Sequence, residues 1–259
     1  MTDAGVLLTV AYDGGAYAGW APQKNAVTVA GTLLEAIRRM APGVSEIQGV
    51  SRTDAGVHAR GQRAAFDAPE NIPPRGWALG LTRNLPPTIS VRAAARVEPG
   101  FHPRFHSTGK RYVYTLLCDP LRDPFLDGYA WRLPGALDLE AMRHAAAALL
   151  GTHDFRAFRA AADERTDTTR TLRRVEVVRD AADPRVLRVI VEGDRFLYNM
   201  VRILTGTLVD VGAGRLDPGV CAAALALGDR AVLGQTAPAR GLLLDEVFLD
   251  REGIDRWPP

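Results

Sequence analysis

Asp54 is the single acid of the stretch Ser51-Arg52-Thr53-Asp54-Ala55-Gly56-Val57-His58-Ala59-Arg60-Gly61-Gln62, with Arg52, Arg60 and Arg63 around it. A carboxylate among cations stays ionised, because neighbouring positive charge favours the charged form. Such a group suits a nucleophile or an electrostatic stabiliser better than a general acid. Gly56 and Gly61 permit a tight turn or a close approach of backbone to ligand. The same residues also fit an Asx-turn aspartate that orders a surface loop, with solvated arginines beside it. Tyr112 and Tyr114 lie two apart in an apolar run, so on a strand they share one face and Val113 takes the other. Aromatics beside Lys110 and Arg111 suit base stacking with phosphate contact, and equally suit two core tyrosines. Arg202 interrupts the apolar run Phe196 to Val211, where an unpaired charge is costly. A carboxylate from another segment would satisfy it, and Asp54 is the best motivated. A solvent-edge arginine paired with Asp210 or Glu192 fits the periodicity as well.

The elements that must position these groups follow from periodicity and punctuation. Val6 to Tyr12 alternates as a strand, and Asp13-Gly14-Gly15 marks a turn, with Tyr17, Gly19 and Trp20 in the loop that follows. Thr28 is an N-cap for a helix through Met40, which Pro42-Gly43 stops. Strands over Glu46 to Val50 and Gln62 to Asp67 flank the Asp54 loop. Pro73-Pro74 open a helix to about Asn84, and Ile89 to Val97 is a strand. Phe101 to Gly109 lacks periodicity and reads as the crossing between two halves. Arg111 to Cys118 returns to strand. Asp138 caps a helix to Leu150, with Gly151 as its C′ residue. The polar, Arg-rich stretch Gly151 to Arg170 reads as a long loop. Arg173 to Val178 and Arg185 to Glu192 form a hairpin. Phe196 to Val211 is a helix, Asp217-Pro218 start a short one over Val220 to Leu227, and Leu242 to Phe248 closes the chain as a strand. The order is that of an α+β protein.

With 259 residues, 47% hydrophobic and 24% charged, the chain can bury a real core and fits one large or two ordinary domains. No apolar run approaches the ~20 residues that span a bilayer, and the N-terminus lacks the pattern of a signal peptide. Cys118 and Cys221 lie far apart and outside metal-ligand spacing, which predicts two buried, reduced thiols. The net charge of +2 does not by itself point to nucleic acid. Local positive density can still serve phosphate. His102, Arg104, His106, Lys110 and Arg111 form one such run, and Arg156, Arg159, Arg165, Arg170, Arg173, Arg174 and Arg179 another.

SRTDAGVHARGQ resembles the catalytic loop of the tRNA pseudouridine synthase A family. RYVY is similar to that family's tyrosine motif, FLYNMVRILTGTLVDVG to its arginine-bearing helix, and YDGGAYAGWAPQ, FHPRFHSTGKRY, GTHDFRAFR, RTLRRVEV and GLLLDEVFL also match, so the resemblance covers nearly the whole chain. Tyr198-Asn199 stand where histidines often precede the Met-Val-Arg core, which bears on recognition of RNA and not on the chemistry. Ser51 stands where many relatives have glycine.

The resemblance implies isomerisation of uridine to pseudouridine in the anticodon stem-loop of tRNA, at nucleotides 38, 39 and 40, without cofactor or metal. It implies Asp54 as the nucleophile, attacking either the uracil ring or ribose C1′. Tyr112 would stack on the base and Arg202 would pair with Asp54. Arg52 would fill the vacated space or hold phosphate, Lys110 and Arg111 would meet the RNA, and Leu242 or Leu244 would lie below the base. The implied fold is a pair of ferredoxin-like halves, residues 1–105 with the Asp loop and residues 106–259 with the Tyr and Arg. Their antiparallel sheets would join around a catalytic cleft. A cytoplasmic homodimer, with no membrane association, is implied as well. Two other classes are compatible with part of the pattern: a non-catalytic RNA-binding protein, and a glycosidase or nucleoside hydrolase. The latter usually needs a second carboxylate, and the nearest downstream of the motif is Asp67.

Overall fold

Alternating apolar residues make the first strand the centre of the first unit. In the computed structural model, which describes residues 3–258, this unit takes the chain as far as Thr108 and again from Leu244 onward. β1 (Asp3–Tyr12) is followed by α1 (Val29–Met40), β2 (Gln48–Gly49), β3 (His58–Pro69), α2 (Pro74–Asn84) and β4 (Ile89–Val97). β1 runs antiparallel between β3 and β4. Val6 is opposite Phe66, whose ring meets Trp77 of α2 edge-on at 5.0 Å, so this face of the sheet carries a helix. On the other face Leu7, Ala65, Val97 and Phe101 form a smaller cluster under Leu249.

α1 starts where the sequence predicts. The Thr28 hydroxyl accepts from Gly31 N at 3.2 Å, and Val29, Ala30, Leu33, Ala36 and Ile37 form the buried stripe. Burying a side chain such as Leu33 or Ile37 contributes about 1.5–3 kcal/mol each. α2 has Pro74 in its first turn, where a missing N–H costs nothing. The strand read over Glu46 to Val50 shrinks to the two residues of β2, whereas that read from Gln62 begins at His58. β3 thus grows directly out of the Asp54 loop.

The second unit is Gly109–Leu243. Its sheet has the order β5 (Ser107–Cys118), β9 (Val186–Gly193), β8 (Thr169–Arg179) and β7 (Gly151–Asp154), with antiparallel pairing throughout. β6 (Trp131–Leu133) lies parallel to β5. α3 (Leu139–Ala147) is capped by Asp138, which accepts from Glu140 N and Ala141 N. It packs on α4 (Met200–Gly212), where a Cβ on Gly212 would meet Met142 at 2.7 Å. α5 (Val220–Leu227) follows. Among the residues of α4 only Arg202 escapes full burial, the pattern of a helix enclosed on all sides.

Several elements differ from the sequence reading. α3 stops before Leu150, because Gly151, at φ +99°, already opens β7. The predicted long loop is therefore interrupted by that strand and by a short 3-10 turn at Arg156–Phe158. β6 and β11 (Ile254–Trp257) carry no alternation strong enough to announce them. β10 (Leu242–Leu249) lies beside β3, and β11 pairs with β4. Residues from Leu244 onward therefore belong with the first unit, although the sequence reading placed them in the second half. Strand partners are chosen by hydrogen bonds across the whole chain, which local pattern does not encode. Cys221 is buried, and burial pushes its thiol up to about 12, whereas Cys118 is only half-buried. No helix among the described residues is long and apolar enough to cross a membrane.

Replacing Thr28 by alanine leaves the Gly31 N–H without its acceptor. The expected loss is about 1 kcal/mol in urea unfolding, with Thr28→Ser close to wild type.

Candidate active site

The Asp54 loop is gripped from both sides. At its base Gln62, fully buried, donates through Nε2 to Ser51 O at 2.6 Å and accepts at Oε1 from Ser51 N at 3.1 Å. The amide side chain thus acts as an extra strand residue, closing the two arms of the loop. Val50 N donates to Arg63 O at 3.0 Å just below it. Above, Val57 N donates to Asp54 O at 3.1 Å and closes the turn. Asp54 itself is half-buried, and Arg52 is exposed.

The turn after β1 holds the other side. Gly56 N donates to Tyr17 O at 3.3 Å, Trp20 N to Thr53 O at 3.1 Å, and Gly14 N to His58 Nδ1 at 3.1 Å. The Tyr12 hydroxyl shares a 2.7 Å hydrogen bond with the Thr53 hydroxyl. The two segments approach so closely that a Cβ on Gly14 would run into the Val57 carbonyl. Gly19 is at φ +96°, and a Cβ there would lie 2.7 Å from Thr53 O. Glycine at both positions is a steric requirement.

The arginines of the stretch divide. Arg60 donates to Asp245 at 3.1 Å. Arg63 is buried, bonded to Thr9 and Glu252, and its guanidinium is lowered to about 10, chiefly by burial and then by Arg256. Two of the three expected neighbours of Asp54 are therefore engaged by carboxylates of the chain's last residues, a long-range pairing that the local sequence does not carry.

Tyr112 and Arg202 lie in the second unit, as do Lys110, Arg111 and Leu242; Asp54 and Arg52 lie in the first. Tyr112 is buried, opposite Val191, and meets the edge of Phe196 at 5.1 Å with an interplanar angle of 83°. Tyr114, also buried, donates its hydroxyl to Pro238 O at 2.6 Å, and its phenol is raised by burial. Both tyrosines are thus buried, Tyr114 completely and Tyr112 at 7% exposure. Leu242 and Leu244 are both buried. Arg111 donates to Glu192 at 2.6 Å, and Arg174 bonds the same carboxylate at 3.4 Å.

Phe196 does not join α4. The chain turns over Phe196 to Asn199, and the helix begins four residues later than periodicity predicts. The cause is a competing set of partners. Tyr198 N donates to Asp163 at 2.8 Å, and Ala160 N donates to Tyr198 O at 3.0 Å. Burial alone would raise the Asp163 carboxyl, but the Tyr198 and Arg165 N–H groups, with Arg165 and Arg159, hold it below the ordinary range. Arg202 then donates through Nε to Ala237 O at 2.8 Å and through Nη1 to Asn199 Oδ1 at 2.9 Å. The alternative partners read from sequence are occupied: Asp210 binds Arg215, and Glu192 binds Arg111 and Arg174.

The wider basic groups are likewise partly structural. His106 stacks on Phe101 at 4.5 Å and bonds Asp250, while Arg170 is buried against Thr169 O and Asp167 O. Among the described residues no group of three or more His, Cys, Asp or Glu side chains could hold a metal ion. The sequence pattern assigns no part in the site to Gln62 or Phe196, marks Gly14 only as part of a turn, and ties Asn199 only to recognition of RNA. Only the glycines left a signal, in their clustering after β1. For Gly14→Ala the expected loss is about 3 kcal/mol or more in urea unfolding, with less than about 0.5 kcal/mol for Gly43→Ala, which meets nothing within 4 Å.

A family model described as tRNA pseudouridine synthase matches residues 145–250. The chain is 44% identical over 244 residues to tRNA pseudouridine synthase A of Geobacter sp. (strain M21), covering 94% of this chain and 98% of that one. With the namesake from Geobacter sulfurreducens the identity is 43% over 242 residues, covering 93% and 98%. A solved Cbf5-Nop10-Gar1 complex aligns with 80% of this chain and 45% of its own, at 11% identity and a TM-score of 0.36, too low to bear on the fold. Sharing over two-fifths of its residues with relatives that it spans almost end to end, the chain belongs to the tRNA pseudouridine synthase A family.

Proposed function

We propose that the protein isomerises uridine to pseudouridine in the anticodon stem-loop of tRNA, at nucleotides 38, 39 and 40, with Asp54 as nucleophile. Near end-to-end similarity to synthases of that name carries this reading. The Asp54 loop adds to it, since so many main-chain bonds and two steric glycines converge on one half-buried carboxylate. Catalysis by positioning needs that kind of support.

In the reaction the N1–C1′ bond breaks, the uracil turns, and C5 bonds to C1′ while its hydrogen leaves as a proton. N1 takes up a proton, so no redox partner or external group is consumed. The target nucleotide must leave its stack, at a cost of roughly a few kcal/mol. Tyr112, braced edge-on by Phe196, receives the extruded base. Asp54 attacks the uracil ring or ribose C1′. Arg202 pairs with Asp54 and keeps it ionised. Arg52, exposed and without a hydrogen bond or ion pair among the described residues, occupies the space that the base vacates or holds phosphate. Lys110 and Arg111 face the RNA backbone and Leu242 lies below the base. The protein acts as a cytoplasmic homodimer.

The test uses unmodified tRNA with tritium at C5 of its uridines. Wild type is expected to release tritium, and Asp54→Asn to do so at least about 10³-fold more slowly with tRNA affinity within about threefold. Asp54→Asn that turns over normally, or wild type that binds tRNA without releasing tritium, overturns the reading. Mapping the product to nucleotides outside 38–40 would overturn the assigned positions alone.

A further inference from the structure

Asn199 stands at the N-cap of α4 and does not cap it. Asparagine is among the strongest N-caps, its side-chain oxygen taking a helix N–H. Here the residue is left-handed, at φ +60° and ψ +7°, and makes no side-chain cap bond. That conformation is uncommon for any residue but glycine, with asparagine among those that tolerate it. Its oxygen accepts instead from Arg202 Nη1 at 2.9 Å.

The rest of the arrangement holds both partners still. Tyr198 is bonded at N by Asp163 and at O by Ala160 N, and Asn199 O accepts from Ile203 N at 2.9 Å. Ala237 takes Arg202 Nε at its carbonyl, and its own N donates to Arg202 O at 3.1 Å. Asn199 and Ala237 offer the guanidinium neutral acceptors, an amide and a peptide carbonyl. They fix a long side chain that has about 2 kcal/mol of rotamer entropy without cancelling its charge. A carboxylate in place of the Asn199 amide would orient the arginine equally well but neutralise it.

We propose that Asn199 is a positioning residue for Arg202. It gives up the helix cap so that the cation is held, by a group that adds no charge of its own, in one orientation toward the anion with which Arg202 pairs in the reaction. The catalytic side of this inference rests on the role given to Arg202 under the proposed function; the clamp itself does not.

Asn199→Gly tests it, since glycine keeps the left-handed backbone and removes only the amide. The clamp is read by NMR from the Arg202 Nε–H order parameter and the separation of its Nη signals, assigned through Arg202→Lys. Wild type is expected to be rigid and Asn199→Gly averaged, with an unchanged urea midpoint. A guanidinium that stays rigid in Asn199→Gly overturns the clamp, whatever the activity. In tritium release Asn199→Gly is expected to lower kcat about tenfold to a hundredfold, with KM for tRNA within about twofold. Asn199→Asp should lower kcat at least as far, and Asn199→Gly should cost nothing more in an Arg202→Lys background. Wild-type kcat in Asn199→Gly, or a full additional loss in that background, overturns the catalytic role. Wild type without tritium release would instead refute the proposed function, with the NMR result still deciding the clamp.

Discussion

The close approach of the turn after β1 to the Asp54 loop is the constraint on which the first unit's chemistry depends. Two stretches of irregular backbone are pressed together until no Cβ fits at Gly14, and their peptide groups exchange bonds through Tyr17, Trp20, Thr53 and Gly56. Irregular backbone brought out of water must find partners for its N–H and C=O groups. Here each stretch supplies them for the other, while Gln62 closes the base as a surrogate strand residue. The carboxylate is consequently carried on backbone that has little freedom of its own. That is the support a reacting group needs if it is to be placed to within a fraction of an ångström.

The second unit reaches comparable order by another route. α4 is enclosed by apolar neighbours, and the single arginine near its start has two of its N–H groups taken by neutral oxygens. Just before it the chain leaves the helical path, since the loop around Asp163 claims the Tyr198 peptide. That departure moves Phe196 off the helix and sets its ring against Tyr112. One local competition for hydrogen bonds thus decides both the ring pair and the setting of the arginine.

Charge is handled the same way. A near-neutral chain with 32 basic residues has acids for most of them, and many of the arginines that look like an RNA surface are spent on internal pairs. Arg111 and Arg174 share Glu192, Arg185 gathers Asp119, Asp123 and Asp183, and Arg63 meets Glu252. Those of the pairs that are solvent-exposed contribute little to stability, typically below about 1 kcal/mol each. Their effect is to hold loops in register.

The sequence alone determined the family, through a run of ordered motifs, and most helices and strands, because hydrophobic period and caps are local. Thr28 and Asp138 at helix starts, Pro74 in a first turn and the alternation of Ile89 to Val97 all act within a few residues of themselves. Asp54, Tyr112 and Arg202 were legible as candidates because each breaks the pattern around it. The tertiary structure decided what local pattern cannot encode. It returned Leu244 onward to the first unit, ended α3 early, assigned Arg60 and Arg63 to distant acids, and buried Gln62 as part of the loop. It also took Asn199 out of the helix read from Phe196 and made its side chain an acceptor for Arg202. For Arg60, Arg63 and the residues from Leu244 onward the deciding partner lies far along the chain. A side chain with two uses takes the one whose partner is within reach.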